Sequence, residues 1–338
     1  MLFDSLADYF KPEAVSQDTI AIRQRLKNML AAGARPADLA AARDAYASGR
    51  LGIPVGPRST RALTRVITGP RGDIELRILI PKVVRGAYLY IHGGGWMMGS
   101  NDLSDDQLEL IGQRAGLVTV SVQYRLAPEH PFPAPVDDCV AAARWLIANV
   151  KREFGVSWLA IGGESAGAHL TAATLLRLRD EGLGNAYRAA SLMYGCFDLS
   201  LTPSLRRAAP DTPFVDSASV TAMVDAFRSN VEARDPAISP LYADLRGLPP
   251  ALFSVGTADS LVDDTLFMNM RWQAAGNDAQ LAIYPGGVHG FNFLEGELAS
   301  SANEKVANFL DQLNLADVGH RAIDPKQHLI CNTKKDTL

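Results

Sequence analysis

The stretch that decides the fold is WLAIGGESAGAHL, at residues 158–170. An apolar run ends at Gly162, the motif Gly-Glu-Ser-Ala-Gly follows, and a helical pattern that includes Leu170 comes next. A Gly-x-Ser-x-Gly motif between a strand and a helix forms a tight turn, which strains the serine backbone and exposes its hydroxyl. The N-terminus of the helix then presents free N–H groups and a positive dipole end to that oxygen. In this context, which separates it from chance matches, the motif predicts that Ser165 is a nucleophile.

Short apolar runs bounded by breaker residues recur along the chain on both sides of this motif. They predict strands at 62–67, 73–80, 87–91, 117–122, 158–162, 190–194, 251–255 and 280–284. Helical patterns separate most of them, at about 104–115, 138–151, 166–181, 261–275 and 301–315. Strands that alternate with helices form βαβ units, so we predict an α/β fold with a mostly parallel sheet and helices on both faces.

The first fifty residues lie outside this alternation and read as helical. Apolar residues at helical spacing follow Asp18, which we interpret as an N-cap. A second helix is predicted to open at Pro36 and to stop at Gly49, because proline suits a first helical turn and glycine a helix end. We interpret residues 1–50 as an N-terminal helical cap.

A second departure from the alternation covers 198–245, which is too long for a plain loop. Its helical stretch at 218–229 and its prolines predict an excursion that folds over the sheet. The chain then divides into the N-terminal cap, a catalytic core at 51–318 with a second cap piece at about 200–238, and a polar tail at 319–338.

Composition limits the class of protein. The 338 residues are 47% hydrophobic and carry a formal charge of −4, which allows a large core and argues against a nucleic-acid partner. Cys139, Cys196 and Cys331 are odd in number and lack metal-ligand spacing, so we expect reduced thiols, no metal and a cytoplasmic location. The N-terminus has no basic region typical of a signal peptide, and no segment approaches the roughly 18 apolar residues of a membrane span.

A run of three glycines follows the predicted strand at 87–91, in the sequence His-Gly-Gly-Gly-Trp at 92–96. Three glycines at the end of a strand cost backbone entropy, so such a run usually marks a place where the backbone must approach another group closely. Acyl transfer needs N–H donors aimed at a developing oxyanion, and these glycine amides with that of Ala166 can supply them. A tight loop is the alternative; a phosphate cradle is disfavoured because no phosphate-binding signature follows.

Six histidines compete for the role of general base. His289 follows the last predicted strand in Pro-Gly-Gly-Val-His-Gly-Phe at 285–291, where a loop reaches the same sheet edge as Ser165. His92 belongs to the glycine loop and His169 lies one turn beyond Ser165, so structural roles suit both better. The remaining three lie in a proline-rich loop or in the tail: His130, His320 and His328. We predict that His289 is the base.

Three aspartates are candidates for the acid that orients this histidine. Asp259 follows the predicted strand at 251–255, at the sheet edge where Ser165 lies. Asp263 lies four residues further on and suits the charge preference of a helix N-terminus better. Asp198 also follows a strand and stays a rival. We favour Asp259, which gives the chain order serine, aspartate, histidine typical of α/β hydrolases.

Five ordered motifs carry a family resemblance over about residues 60 to 315. They read His-Gly-Gly-Gly-Trp at 92–96, Tyr-Arg-Leu-Ala-Pro-Glu at 124–129, Gly-Glu-Ser-Ala-Gly at 163–167, Asp-x-Leu-x-Asp-Asp at 259–264 and His-Gly-Phe at 289–291. Together they resemble the bacterial hormone-sensitive-lipase family of esterases. The resemblance implies an α/β-hydrolase fold with an eight-stranded sheet and a helical cap. It also implies hydrolysis of short acyl esters without metal or cofactor.

The same resemblance implies roles for individual residues. Gly94 and Gly95 would join Ala166 in the oxyanion hole, and Glu164 stands where the family most often has aspartate. The stretch 124–138 is interpreted as structural, holding charges in a buried pair. Beside the glycine loop, three further side chains are candidates for the substrate pocket, with ordinary core packing as the equal alternative: Trp96, Met97 and Met98.

The predicted function is therefore hydrolysis of a small-molecule carboxylic ester, with a homodimer possible. Amide or lactone cleavage uses the same motifs and stays open. A non-catalytic receptor on this fold is disfavoured, since the plant gibberellin receptors lack the histidine that is present here as His289. Charges at Asp4, Asp8 and Lys11 suit a solvated cap better than a membrane-facing lid, so acyl chains of about two to about six carbons are expected. The alternative interpretation is that these charges belong to an ordinary solvated helix face and carry no information about chain length.

Overall fold

The structure of the protein, a computed structural model, describes residues 5–33 and 36–322, with side chains up to residue 317. Its centre is an eight-stranded sheet with the order β1-β2-β4-β3-β5-β6-β7-β8. The strands are β1 Leu63–Gly69, β2 Gly72–Leu79, β3 Gly86–Ile91, β4 Leu117–Val122, β5 Leu159–Glu164, β6 Ala189–Met193, β7 Ala251–Gly256 and β8 Ala279–Tyr284.

The sheet is mostly parallel, as predicted. Strand β2 runs antiparallel to both of its neighbours, β1 and β4. Every other adjacent pair is parallel. The inner parallel strands are buried along their whole length, which is why they appear in the sequence as short apolar runs. All eight predicted strands are present, with ends shifted by at most two residues.

Helices cover both faces of the sheet. They are α1 Gln17–Ala32, α2 Leu39–Ala47, α3 Asp105–Ala115, α4 Ala134–Phe154, α5 Ala166–Asp180, α6 Pro203–Arg206, α7 Ser217–Arg228, α8 Val262–Ala274 and α9 Glu297–Ala322. Helices α3 and α9 pack together on one face, and α4, α5 and α8 lie on the other. Successive side chains of a strand alternate between the faces, so Leu89 joins the α4–α5 cluster and Tyr90 the α3–α9 cluster.

Two predicted helix starts near the N-terminus are wrong by two or three residues. The N-cap of α1 is Ser16, whose hydroxyl accepts the Thr19 N–H at 3.1 Å, and not Asp18. Asp18 lies in the first helical turn, where its charge complements the helix dipole. Helix α2 does not open at Pro36, because the Asp38 side chain caps it by accepting the Ala41 N–H at 2.8 Å.

The excursion between β6 and β7 contains the predicted helix, here α7. Asp216 is its N-cap and accepts the N–H groups of Ala218 and Ser219. At the other end of the chain, α9 extends to Ala322, so the first residues of the predicted tail are helical, and residues 323–338 lie outside the described chain. Among the described residues, no helix combines the length and apolar character that a membrane crossing requires.

Candidate active site

Ser165 lies at a sharp turn between β5 and α5. Its backbone has φ 56° and ψ −122°, a strained combination for a residue other than glycine. Glycine is required on both sides, because a Cβ at Gly163 or at Gly167 would lie 2.2 Å or 1.9 Å from the Ile91 carbonyl oxygen. The Ser165 N–H donates to the Met193 carbonyl of β6 at 2.9 Å. The turn is therefore packed tightly against two neighbouring strands, as the motif predicts.

His289 reaches Ser165 from the loop that follows β8. The Ser165 hydroxyl lies 2.8 Å from the His289 Nε2 atom, the distance of a hydrogen bond. The imidazole is almost fully buried, and the ring of Tyr194 packs beside it with the centroids 4.6 Å apart. Gly290 follows with φ 73°, a conformation that favours glycine. The structure thus brings together the predicted nucleophile and the predicted base.

Asp259 lies on the far side of the His289 ring. Its Oδ2 atom is 2.9 Å from Nδ1, while its Oδ1 atom accepts the Leu261 N–H at 2.9 Å. The end of β7, which leads to Asp259, lies close to the loop of His289 because Gly256 has no side chain: a Cβ there would lie 2.0 Å from the Gly287 carbonyl oxygen. A carboxylate at Nδ1 fixes the proton on that nitrogen and leaves Nε2 free to accept the serine proton.

The rival aspartates have other partners. Asp198 accepts hydrogen bonds from the Ser200 backbone and hydroxyl and from the Tyr242 hydroxyl. Asp263 accepts the Ser204 N–H at 2.7 Å, which ties α8 to the excursion. Neither is brought to His289. The adjacent Asp264 is fully buried, and burial raises the pKa of its carboxyl to about 7, although three hydrogen-bond donors surround it.

The glycine loop lies next to Ser165. Gly94 and Gly95 have positive φ angles of 107° and 61°, which other residues rarely adopt. The Gly94 carbonyl accepts the Met98 N–H at 2.9 Å, so its oxygen is engaged within the loop. The Ala166 amide belongs to the first turn of α5, where N–H groups lack acceptors within the helix. All three residues line the same cavity as Ser165 and His289.

Comparison with known proteins shows which family this chain resembles. Residues 88–293 match a family described as having the alpha/beta hydrolase fold. The carboxylesterase NlhH of Mycobacterium tuberculosis is 36% identical over 230 residues, which are 65% of this chain and 71% of that protein. An acetyl esterase of Salmonella paratyphi B is 29% identical, over 68% of this chain and 72% of its own.

The crystal structure of an esterase from the bacterial hormone-sensitive lipase family superposes with a TM-score of 0.75. It is 31% identical in sequence, and the alignment covers 89% of this chain and 99% of that one. This chain belongs to the hormone-sensitive-lipase family of α/β hydrolases. The matched range of the family begins within β3 and ends beyond His289, so it contains Ser165 and Asp259 as well.

In this hormone-sensitive-lipase-family chain, a cavity of about 280 Å³ lies over Ser165. Its wall is mostly apolar and includes side chains from the N-terminal part of the chain and from the excursion, in addition to residues next to Ser165 and His289. The N-terminal segment contributes Leu30 and Tyr46, and the stretch directly after it contributes Leu51 and Ile53. The excursion contributes Phe214, Val215, Asp216, Ser219, Val220 and Met223. The sequence analysis predicted helices around Leu30 and Tyr46 but did not identify any of these side chains as site residues.

The three candidate pocket residues beside the glycine loop have different positions. Trp96 borders the cavity but is only 2% exposed, and its ring stacks on Phe227 of α7 with centroids 4.8 Å apart. Met97 packs against the core and does not line the cavity, whereas Met98 does. Trp96 therefore serves mainly to join the glycine loop to the excursion.

The other histidines are structural or distant. His169 accepts the Trp96 indole N–H at 3.0 Å on Nδ1 and donates to the Ile238 carbonyl at 2.7 Å through Nε2. His92 contacts the Gly93 carbonyl oxygen through Nδ1 at 2.8 Å. Burial lowers the pKa of each of these two imidazoles to about 4, so both are neutral at pH 7. His130 is exposed, and the His320 and His328 side chains lie outside the described part of the chain.

Arg43 of α2 ties the N-terminal segment to the site. Its guanidinium donates to the Met97 carbonyl at 2.8 Å and the Ala127 carbonyl at 3.0 Å, and forms a bidentate pair with Glu129. The 124–138 stretch contacts the glycine loop, since the Ala127 N–H donates to the Trp96 carbonyl at 2.9 Å. It also contains an ion pair of Arg125 with the buried Asp138, in agreement with the charge pair expected in this stretch. Within the described residues, no group of three or more His, Cys, Asp or Glu side chains is placed to hold a metal ion.

Proposed function

We propose that this chain hydrolyses carboxylic esters, with Ser165 as nucleophile, His289 as general base and Asp259 as the orienting acid. One observation carries the proposal. The Ser165 hydroxyl, the His289 ring and the Asp259 carboxylate form a continuous hydrogen-bonded series, with contacts of 2.8 Å and 2.9 Å. Side chains in this order and geometry activate a serine for acyl transfer on several unrelated folds.

In the proposed reaction, the Ser165 oxygen attacks the ester carbonyl carbon while His289 Nε2 takes the hydroxyl proton. The tetrahedral intermediate collapses as the imidazolium returns that proton to the leaving alcohol, which leaves an acyl-enzyme. Water then attacks the acyl group, with His289 as base again, and the acid product departs from the regenerated serine. Asp259 keeps the Nδ1 proton in place and stabilises the imidazolium in both halves.

We assign the oxyanion hole to the backbone amides of Gly94, Gly95 and Ala166. All three residues border the cavity next to Ser165, and Gly94 and Gly95 have positive φ angles that residues with a side chain rarely adopt. The positive end of the α5 dipole adds to this stabilisation. Donors fixed before the reaction stabilise the developing charge most, and loss of one typically costs about a hundredfold to a thousandfold in kcat.

We propose that residues 1–50 and about 200–238 act together as a two-part cap. Side chains from both segments form the wall of the cavity over Ser165. The Arg43 contacts hold the first segment, and the Trp96–Phe227 stack holds the second, each against the glycine loop. A substrate that reaches Ser165 is therefore enclosed by the cap, which makes the cap the main determinant of substrate shape.

The substrate is proposed to be a small-molecule ester with a short, uncharged acyl group. The cavity of about 280 Å³ is small for a ligand site, since such sites span roughly 300–1,000 Å³. The residues that line it include the carboxyl side chains of Glu164 and Asp216 but no arginine or lysine. A negatively charged acyl group would find no counter-charge there. The homodimer and the cytoplasmic location stay predictions.

Along a series of acyl esters, kcat/KM is expected to rise from two to about six carbons and to be low again at chains of about twelve carbons. Each methylene that the cavity accepts adds about 0.8 kcal/mol, or about fourfold in kcat/KM, until the cavity is full. The measurement is kcat/KM for matched p-nitrophenyl esters, with an anilide and a lactone alongside. Efficiency that still climbs beyond about twelve carbons would contradict the short-chain proposal. If the anilide or the lactone were cleaved faster than the esters, the protein would be assigned as an amide or lactone hydrolase instead.

Met223→Ala is expected to move the optimum toward longer chains. Met223 lies against the glycine loop, since its sulfur would be 2.3 Å from a Cβ at Gly95. Removal of the thioether enlarges the cavity, and kcat/KM for acyl chains of about eight carbons should increase by at least about fourfold. Met97→Ala is the matched control, because Met97 does not line the cavity. An equal shift in both variants would show that Met223 does not limit chain length.

A further inference from the structure

The carboxyl group of Glu164 joins the serine turn to the glycine loop. Glu164 is the last residue of β5 and directly precedes Ser165. Its Oε1 atom accepts the backbone N–H of Gly93 at 2.8 Å, across 71 residues of sequence. Gly93 is followed at once by Gly94 and Gly95, whose amides are assigned to the oxyanion hole. The side chain next to the nucleophile thus holds the loop that carries the oxyanion donors.

The glycine loop depends on such contacts because glycine leaves its backbone unusually free. The His92 carbonyl accepts the Tyr124 hydroxyl proton at 2.9 Å, which anchors the start of the loop to the segment after β4. The Gly93 contact with Glu164 anchors it instead to the strand that carries Ser165. Since reacting groups must be positioned to a fraction of an ångström, this second anchor fixes the oxyanion donors relative to the nucleophile.

The surroundings of Glu164 favour its uncharged form. The side chain is only 6% exposed, and no arginine or lysine among the described residues pairs with it. Burial raises the pKa of its carboxyl to about 8, against hydrogen bonds from Tyr90 and from the backbone of Gly93 that lower it. At pH 7 the group is therefore mostly protonated, and its carbonyl oxygen still accepts the Gly93 N–H.

The tyrosines and the buried His92 that face Glu164 stay neutral over the pH range in which its carboxyl titrates. The neighbouring tyrosines come from β3, α2 and the segments after β4 and β6: Tyr88, Tyr90, Tyr46, Tyr124 and Tyr194. Burial raises the pKa of every one of these phenols. Burial lowers the pKa of His92 to about 4, so this imidazole is uncharged in that range. His289 lines the same cavity as Glu164.

We infer that Glu164 is a positioning residue for the reaction, holding the glycine loop through the Gly93 amide in its uncharged form. Its ionisation places a negative charge beside the oxyanion hole and opposes the transition state. In a poorly solvated site such a like charge is costly, because water does not screen it. This inference rests on the proposed ester hydrolysis and adds to it an upper pH limit set by a residue outside the triad.

Three proteins test the inference: the wild type, Glu164→Gln and Glu164→Met. For the wild type, kcat is expected to fall as the pH rises through about 8. Glutamine keeps an acceptor for Gly93 and cannot ionise, so kcat at pH 7 should stay within about threefold and the alkaline fall should vanish. Methionine has similar length but no strong acceptor, so kcat should fall about tenfold to a hundredfold while KM changes less.

Thermal stability gives a second measurement that does not need catalysis. A carboxyl with pKa raised from 4.5 to about 8 on folding holds a proton that the unfolded chain has lost, so the wild type loses stability as pH rises through that window. The Tm advantage of Glu164→Gln should therefore increase between pH 4.5 and 8. Asp264→Asn, which removes a second buried carboxyl of raised pKa, is the control and should retain the alkaline fall in kcat.

The results separate this inference from the proposed function. Wild-type protein without activity on any ester would refute the ester proposal, while the Tm comparison would still report the charge of Glu164. With an active wild type, an alkaline fall that persists in Glu164→Gln would overturn the inference. So would a folded Glu164→Met with wild-type kcat. If the methionine variant does not fold, the pH profile of the glutamine variant decides alone.

Discussion

Replacement of Ser165 by alanine is expected to reduce kcat for ester hydrolysis by about a millionfold, the typical cost of losing a triad serine. The hydroxyl that donates to His289 Nε2 is the atom proposed to form the acyl-enzyme, and alanine has nothing in its place. The fold should survive, because the Ser165 backbone N–H that donates to Met193 is unchanged. Steady-state kinetics on purified protein, with circular dichroism to check folding, make the measurement.

The matched control is Ser219→Ala. Ser219 also lines the cavity, but its hydroxyl donates to the Asp216 carboxylate of the α7 N-terminus and not to His289. Its loss should change kcat by less than about tenfold. A Ser165→Ala protein that keeps more than about one per cent of wild-type activity, after purification free of wild-type enzyme, would show that another group is the nucleophile.

Asp259→Asn is expected to lower kcat by about ten thousandfold. The carboxylate accepts the Nδ1 proton of His289, whereas an asparagine amide can donate to Nδ1 and so favour the tautomer with the proton on Nε2. In that tautomer His289 cannot accept the proton of Ser165. The substrate still binds, so KM should change much less than kcat.

Asp198→Asn and Asp263→Asn are the matched controls for this prediction. Each replaces a carboxylate at the same sheet edge that binds residues other than His289. Both variants should retain kcat within about tenfold of the wild type, apart from any loss of stability. If Asp198→Asn proved the inactive protein and Asp259→Asn stayed active, the assignment of the acid would be wrong.

The sequence predicted most of the fold because its signals were local. Parallel strands buried on both faces appear as apolar runs, and the turn at Ser165 needs glycine on both sides for packing against Ile91. The choice between Asp259 and Asp198 was harder, since both follow a strand. It depends on the approach of Gly256 to Gly287, a contact between the end of β7 and the loop after β8 that no local pattern reports.

The wall of the cavity could be predicted only in part. Consecutive residues in a turn face in directions set by their dihedral angles, and Trp96 has an unexpected positive φ of 61°. Strand or helix periodicity therefore could not tell that Met98, and not Met97, lines the cavity. The roles of Met223 and Glu164 arise from tertiary contacts with the glycine loop. Both residues lie far from that loop in sequence, and 71 positions separate Glu164 from Gly93.

The central claim is that Ser165 forms the acyl-enzyme with His289 as base. Its most direct test is to mix the protein with p-nitrophenyl acetate, quench the reaction with acid before the first turnover ends, and sequence the digested peptides by mass spectrometry. The account predicts one acetyl group per chain, on Ser165 in the peptide that contains Gly-Glu-Ser-Ala-Gly, and none in His289→Ala. An acetyl group on another residue, or hydrolysis with Ser165 never modified, would contradict it.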